Sequence, residues 1–144
     1  MKLEVISNSI KETQLFASKF SKKVKNGTII ALIGDLGSGK TTFTQGFAEG
    51  LGINQHIGSP TFKLVSEYTG LKCKLYHADC YRLKNANDFL NFGGENLLFP
   101  EDGITLIEWP DIIQELLPEN VIEIVFSRTK GEPNKRHLKI RGIG

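Results

Sequence analysis

The sequence predicts an α/β fold: one domain, residues 1–144, built on a mixed, mostly parallel central sheet with a few flanking helices. Three observations carry that prediction. The run TIIALI at 28–33 is apolar with almost no polar interruption, as a strand buried on both faces of a parallel sheet requires. The glycine-rich stretch GDLGSGKTT at 34–42 follows it directly and leads into a helical pattern. LYHAD at 75–79 and ITLIE at 104–108 each read as a short strand ending in an acid.

Taken in order, the first element after MKLEVI is a helix. Ser9 and Glu12 stand at capping-box spacing, and Phe16, Phe20 and Val24, joined by Thr13 and Ala17, mark one face. The strand at 28–33 and the glycine loop come next. From Thr41 a second helix is expected, with Phe43, Phe47 and Leu51 at fourfold spacing and Gly52 as its stop. FKLVSEYTGLKCKLYH reads as two strands around a turn at Thr69 and Gly70, which makes some of the pairing antiparallel. Short helices are expected around the middle stretch NANDFLNFGGENLL, although NFGGENLL, with two consecutive glycines, has little helical signal. DIIQELLP suggests a short helix ended by Pro118, and VIEIVF and HLKI are the last two strands, joined by the polar turn RTKGEPNKR. The basic segment EPNKRHLKIRG is expected to be a solvated terminal strand with Lys and Arg at its edges.

Composition narrows the class. The 144 residues suit one core, and 18 basic against 16 acidic residues are too balanced to argue for nucleic-acid or membrane binding. The two cysteines, Cys73 and Cys80, have no C-x-x-C spacing and no companion histidine that would suggest zinc, so both thiols are expected to be reduced. MKLEVISNSI lacks the apolar core of a signal peptide, and no run approaches a membrane span. A cytoplasmic location without membrane attachment is the expectation.

The spacing G-x-x-x-x-G-K-[ST] is met by Gly34, Gly39, Lys40 and Thr41. Glycines allow positive φ and let main-chain N–H groups close on an anion, with the positive end of the following helix behind them. Lys40 supplies a compact cation for the β and γ phosphates, and the Thr41 hydroxyl suits Mg²⁺. Magnesium takes one or two protein oxygens besides the phosphates, commonly a carboxylate from a neighbouring strand end. Glu108, after four apolar or β-branched residues, fits that role better than Asp79. One of the two acids meets the metal or its water, and the other orients the attacking water. The only Asn-Lys pair, Asn134-Lys135, runs into Arg136 without an aspartate, so ATP is favoured over GTP. The fold prediction sharpens accordingly to a P-loop NTPase.

Three more segments, SPTF at 59–62, HADCYRL at 77–83 and IEWP at 107–110, stand in order with GDLGSGKTT. With them the chain resembles the TsaE (YjeE) family over nearly its whole length. Those proteins are small bacterial P-loop ATPases of tRNA N6-threonylcarbamoyladenosine synthesis. The resemblance implies that Gly34, Asp35, Leu36, Gly37, Ser38, Gly39, Lys40, Thr41 and Thr42 bind the phosphates, with Thr42 beside the γ phosphate. It implies that Thr41 and Glu108 hold Mg²⁺ and that Asp79 acts near the same centre, giving Lys40, Asp79 and Glu108 as the catalytic set. Ser59, Pro60 and Thr61 would form a switch-like loop, and Trp109 would transmit nucleotide state to a partner, with Tyr81 and Arg82 of the H-x-D-x-Y-R motif grouped with them. Thr13 and Arg136 are matched to the adenine side. The implied partner is the TsaB–TsaD complex, with tRNA met only through it, and the implied activity is ATP hydrolysis that lets that machinery turn over. Two other readings stand beside it: a small-molecule kinase, and a nucleotide-dependent binding module with negligible turnover.

Overall fold

The computed structural model describes residues 2–35, 37–58 and 64–142. Strand β1 (Lys2–Ser7) leads into helix α1 (Ile10–Ser21), whose first turn is closed by Ser9: its hydroxyl accepts from the Glu12 amide at 3.1 Å. The Glu12 carboxylate reaches back to the amide of Asn8 (3.2 Å), one residue earlier than a capping box would place it. Strand β2 (Ile29–Ile33) is buried on both faces, and α2 (Lys40–Gly50) starts one residue before Thr41. Leu51 closes that helix and Gly52, at φ +81°, turns the chain away as expected.

The hairpin of β3 (Val65–Thr69) and β4 (Lys74–Asp79) turns at Gly70. Helix α3 (Ala86–Asn91), capped by Asn85, and a 3₁₀ turn at Gly94–Leu98 occupy the middle stretch where short helices are expected, with the 3₁₀ part falling in NFGGENLL. Strand β5 (Gly103–Glu108) follows. The expected helix after Pro110 is instead a 3₁₀ segment, Pro110–Leu116, broken at Ile113 (φ −116°), and Leu117 is already extended ahead of Pro118.

The last two strands are longer than VIEIVF and HLKI. β6 (Ile122–Thr129) and β7 (Glu132–Arg141) take in most of the polar stretch between them, leaving a tight turn with Gly131 at φ +82°. Nor is β7 a solvated edge. The sheet order is β1-β7-β6-β2-β5-β4-β3, so the unpredicted strand β1 covers β7, pairing from Lys2↔Arg141 to Ser7↔Arg136. Strands β1, β6, β2, β5 and β4 run one way, and β7 and β3 oppose them. The sheet is mixed and mostly parallel.

Alternation along each strand sorts the side chains into two layers. On one face Ile30, Leu32, Leu75, Leu106, Ile124 and Leu138 pack under α1 and α2. Phe43 is central there, with its ring centroid 5.6 Å from that of Phe126 and 5.9 Å from that of Phe47. On the other face Ala78, Phe89, Leu98, Ile107 and Ile113 pack around α3 and the 3₁₀ segments.

Candidate nucleotide site

The period of two that builds the first core also delivers the site. Continuing Leu75 by twos along β4 reaches His77 and Asp79. Ile104 and Leu106 on β5 lead to Glu108, Ile124 and Phe126 on β6 lead to Arg128, and Ile140 and Leu138 on β7 lead back to Arg136. The parallel register sets Asp79 directly beside Glu108. Two carboxylates and two guanidiniums thus end the apolar rows around the loop that leaves β2.

In that loop Gly37 (φ +75°) and Gly39 (φ +114°) take the left-handed conformation, and Gly39 is the residue from which α2 starts. The carbonyl of Gly37 points outward and accepts from Arg128 through Nε (3.1 Å) and Nη2 (2.7 Å), and from Arg136 Nη2 (3.3 Å). Within the loop the Ser38 amide donates to the Asp35 carbonyl (3.1 Å), and the orphan amides of the first turn of α2 are the ones that suit an anion.

Lys40 is 5% exposed, and its Nζ has no hydrogen-bond partner among the described residues. Glu108 Oε1 lies 3.8 Å from it, beyond hydrogen-bond reach, and the Trp109 ring centroid lies 3.9 Å away. Burial pushes the Lys40 pKa down, opposed by the charges of Glu108, Asp79 and more distant acids. The Ser38 hydroxyl is likewise buried without a partner among the described residues. Asp79 accepts from the Tyr81 amide (2.9 Å); burial nonetheless raises its carboxyl, with the Glu108 charge adding to the rise. Trp109 leaves β5 at φ +54°, a left-handed position unusual for a large side chain, and its ring meets that of Tyr81 at 5.0 Å.

A cleft of about 900 Å³ runs past the loop. Thr13 and Arg136 line one end, and Gly37, Gly39, Lys40, Thr41 and Thr42 the middle. Asp79, Glu108, Trp109, Tyr81 and Arg82 lie toward the other end. Thr13 is buried, its hydroxyl 2.6 Å from that of Ser7. Gly34, Asp35 and Ser38 do not line the cleft; Asp35 is exposed, and a Cβ at Gly34 would meet Ser38 Oγ at 2.5 Å. Leu36, Ser59, Pro60 and Thr61 lie outside the described residues.

Three residues of this region are absent from the predicted set. Asn134 lines the Arg136 end, Arg128 holds Gly37, and His77, fully buried, sets Nε2 2.5 Å from Glu108 Oε2. Only His77 carried a readable signal, because two residues before a strand-end acid means the same face of the strand. Among the described residues no three His, Cys, Asp or Glu side chains gather as a metal cage.

A buried strand, a glycine loop crossed by left-handed residues, a helix starting on Lys40 and an acid ending the next strand define a P-loop NTPase fold. Within that class the assignment is narrower. The family model "Threonylcarbamoyl adenosine biosynthesis protein TsaE" matches residues 7–138, and the chain belongs to the TsaE family. It is 39% identical over 133 residues to the tRNA threonylcarbamoyladenosine biosynthesis protein TsaE of Bacillus subtilis (strain 168), covering 92% of this chain and 81% of that one. The protein of the same name from Rickettsia bellii (strain RML369-C) is 41% identical over 122 residues, 84% of this chain and 83% of the other. The crystal structure of Bacillus subtilis YdiB superposes with a TM-score of 0.80 at 34% identity, covering all of this chain and 87% of that one.

Proposed function

We propose that the protein binds and hydrolyses ATP in the cytoplasm in support of tRNA threonylcarbamoyladenosine synthesis, acting on the TsaB–TsaD complex rather than on tRNA directly. The observation that carries the reading is Lys40: a buried ammonium at the start of α2, beside a strand-end carboxylate but without a hydrogen-bond partner among the described residues. A folded chain keeps such a group where a ligand completes it, because a buried cation whose N–H donors are unsatisfied is costly. A triphosphate does so with the opposite charge, and the loop amides and helix N-terminus add to the attraction.

The residues divide the work by position. Lys40 and the loop amides bind the β and γ phosphates. Thr41 and Glu108 would hold Mg²⁺, which when bound neutralises phosphate oxygens. Two protein oxygens suffice for Mg²⁺, which takes its remaining oxygens from phosphate and water. Asp79, anchored by the Tyr81 amide, orients the attacking water. Thr13 and Arg136 lie where the adenosine end would rest. Trp109, in contact with both Lys40 and Tyr81, links the phosphate site to the rim on which a partner would dock.

The test is calorimetry of ATP with MgCl₂ and with EDTA, followed by phosphate release with and without the TsaB–TsaD complex. Binding that Lys40→Ala abolishes, with orthophosphate released to water and faster with the complex, is the expected result. No heat with ATP in either condition overturns the reading. Heat without turnover in any condition would make the chain a nucleotide-dependent module, and transfer of phosphate to an added acceptor would make it a kinase.

A further inference from the structure

We propose that His77 is a positioning residue for Glu108, holding one carboxylate oxygen so that the other is presented to the ion at the phosphate site. The inference rests on the magnesium reading above.

His77 and Glu108 sit on adjacent parallel strands, and their side chains share the face that carries Asp79. The ring is fully buried and the Glu108 side chain nearly so. At 2.5 Å between Nε2 and Oε2, the carboxylate can only accept, so the ring carries its proton on Nε2 and donates it. The other ring nitrogen, Nδ1, is buried without a partner among the described residues. A histidine serving only to fill the core leaves that nitrogen unmatched and gains nothing that Leu or Phe would not supply more cheaply. What it adds is one directed hydrogen bond to one oxygen. Oε1 is left 3.8 Å from Lys40 Nζ, at ion-pair distance rather than hydrogen-bond distance. A carboxylate without His77 could rotate about its terminal torsion, which is broad for glutamate. With His77 in place, that torsion is set before any ion arrives. Such outer partners of metal ligands typically govern affinity by about 10- to 100-fold.

Two variants separate positioning from packing. His77→Phe keeps the ring volume and removes the donor. His77→Gln keeps an N–H near the position of Nε2. The readout is the ratio of ATP Kd in EDTA to that in MgCl₂, taken by calorimetry, which reports the ion's contribution without requiring turnover. His77→Phe should lose about 10- to 100-fold of that ratio with the EDTA value unchanged, and His77→Gln should restore most of it. A His77→Phe ratio equal to that of the wild type overturns the proposal while leaving the magnesium reading intact. A wild type with no magnesium effect overturns that reading, and the proposal with it. A second measurement needs no folded variant at this position: the wild-type imidazole Nε2 proton should be visible by NMR as a slowly exchanging, strongly downfield resonance that Glu108→Ala abolishes. Its absence from the wild type overturns the proposal.

Discussion

At the scale of single residues, the site is built from groups that the fold alone would not choose. Lys40 is the clearest. Its stem packs in the interior, while its ammonium sets the charge of Glu108 at 3.8 Å, the face of Trp109 at 3.9 Å and the further acids of the site against the cost of burial. Lys40→Met keeps the stem and removes the charge. It should stabilise the nucleotide-free protein by about 1–3 kcal/mol, the range for relieving an unsatisfied buried polar group, while abolishing ATP binding. Thermal melts with and without nucleotide check both halves, and a lower melting temperature for the free variant would contradict the first. Trp109 offers a direct report on the same contact, because it is the chain's one tryptophan. Its emission should change when ATP is added to the wild type and stay flat in Lys40→Met.

At the scale of elements, α1 and α2 meet more closely than side chains would permit. A Cβ on Gly46 would lie 2.3 Å from the Gln14 carbonyl oxygen, and one on Gly50 would lie 2.4 Å from that of Ser18. Gly46→Ala must push α1 away and should cost about 1–3 kcal/mol, the usual penalty of overpacking. It should also weaken ATP binding, since α1 carries Thr13 to the cleft; denaturant unfolding and calorimetry measure the two effects. Much at this scale was legible. The buried strand, the loop and α2 follow from a continuous apolar run, glycine spacing and phenylalanine periodicity, all local signals. The strand-end acids were legible for the same reason. Arg128 was not, because its partner is a backbone carbonyl 91 residues away. On the face of β4 that packs against the second core, Tyr76 donates to Asp102 (2.8 Å), and burial together with that bond pushes its pKa from 10.0 up to about 12. The folded state holds the phenolic proton that the unfolded chain releases, so stability should fall as pH rises from 10 toward 12. An ultraviolet titration should show one tyrosine ionising near 12, lost in Tyr76→Phe.

At the scale of the whole molecule, the two ends of the chain make one half of the sheet, and this was the part least readable in advance. KLEVIS is short, mixes charge with apolar residues, and finds its partner only after more than 120 residues of intervening chain. No periodicity can announce such a pairing. The consequence reaches the site, because β1 ends at Ser7, whose hydroxyl donates to the carbonyl of Ser9 (2.8 Å) and meets the hydroxyl of Thr13 (2.6 Å). β1 therefore covers the edge of β7 and also fixes the start of α1 beside Arg136, which the register sets opposite Ser7. Removing residues 1–7 should bare β7 for pairing between molecules. Six cross-strand pairs would be lost, at 0.2–1 kcal/mol each, for a total of about 1–6 kcal/mol. ATP should bind more weakly through the loosened α1 end of the cleft, while Lys40 and Glu108, held by β2, β5 and α2, retain the magnesium dependence of what binding remains. Light scattering, thermal melts and calorimetry on the truncated chain would show the three effects. A truncated protein that stays monomeric and binds ATP as tightly as the full chain would mean that β1 serves neither the edge nor the site.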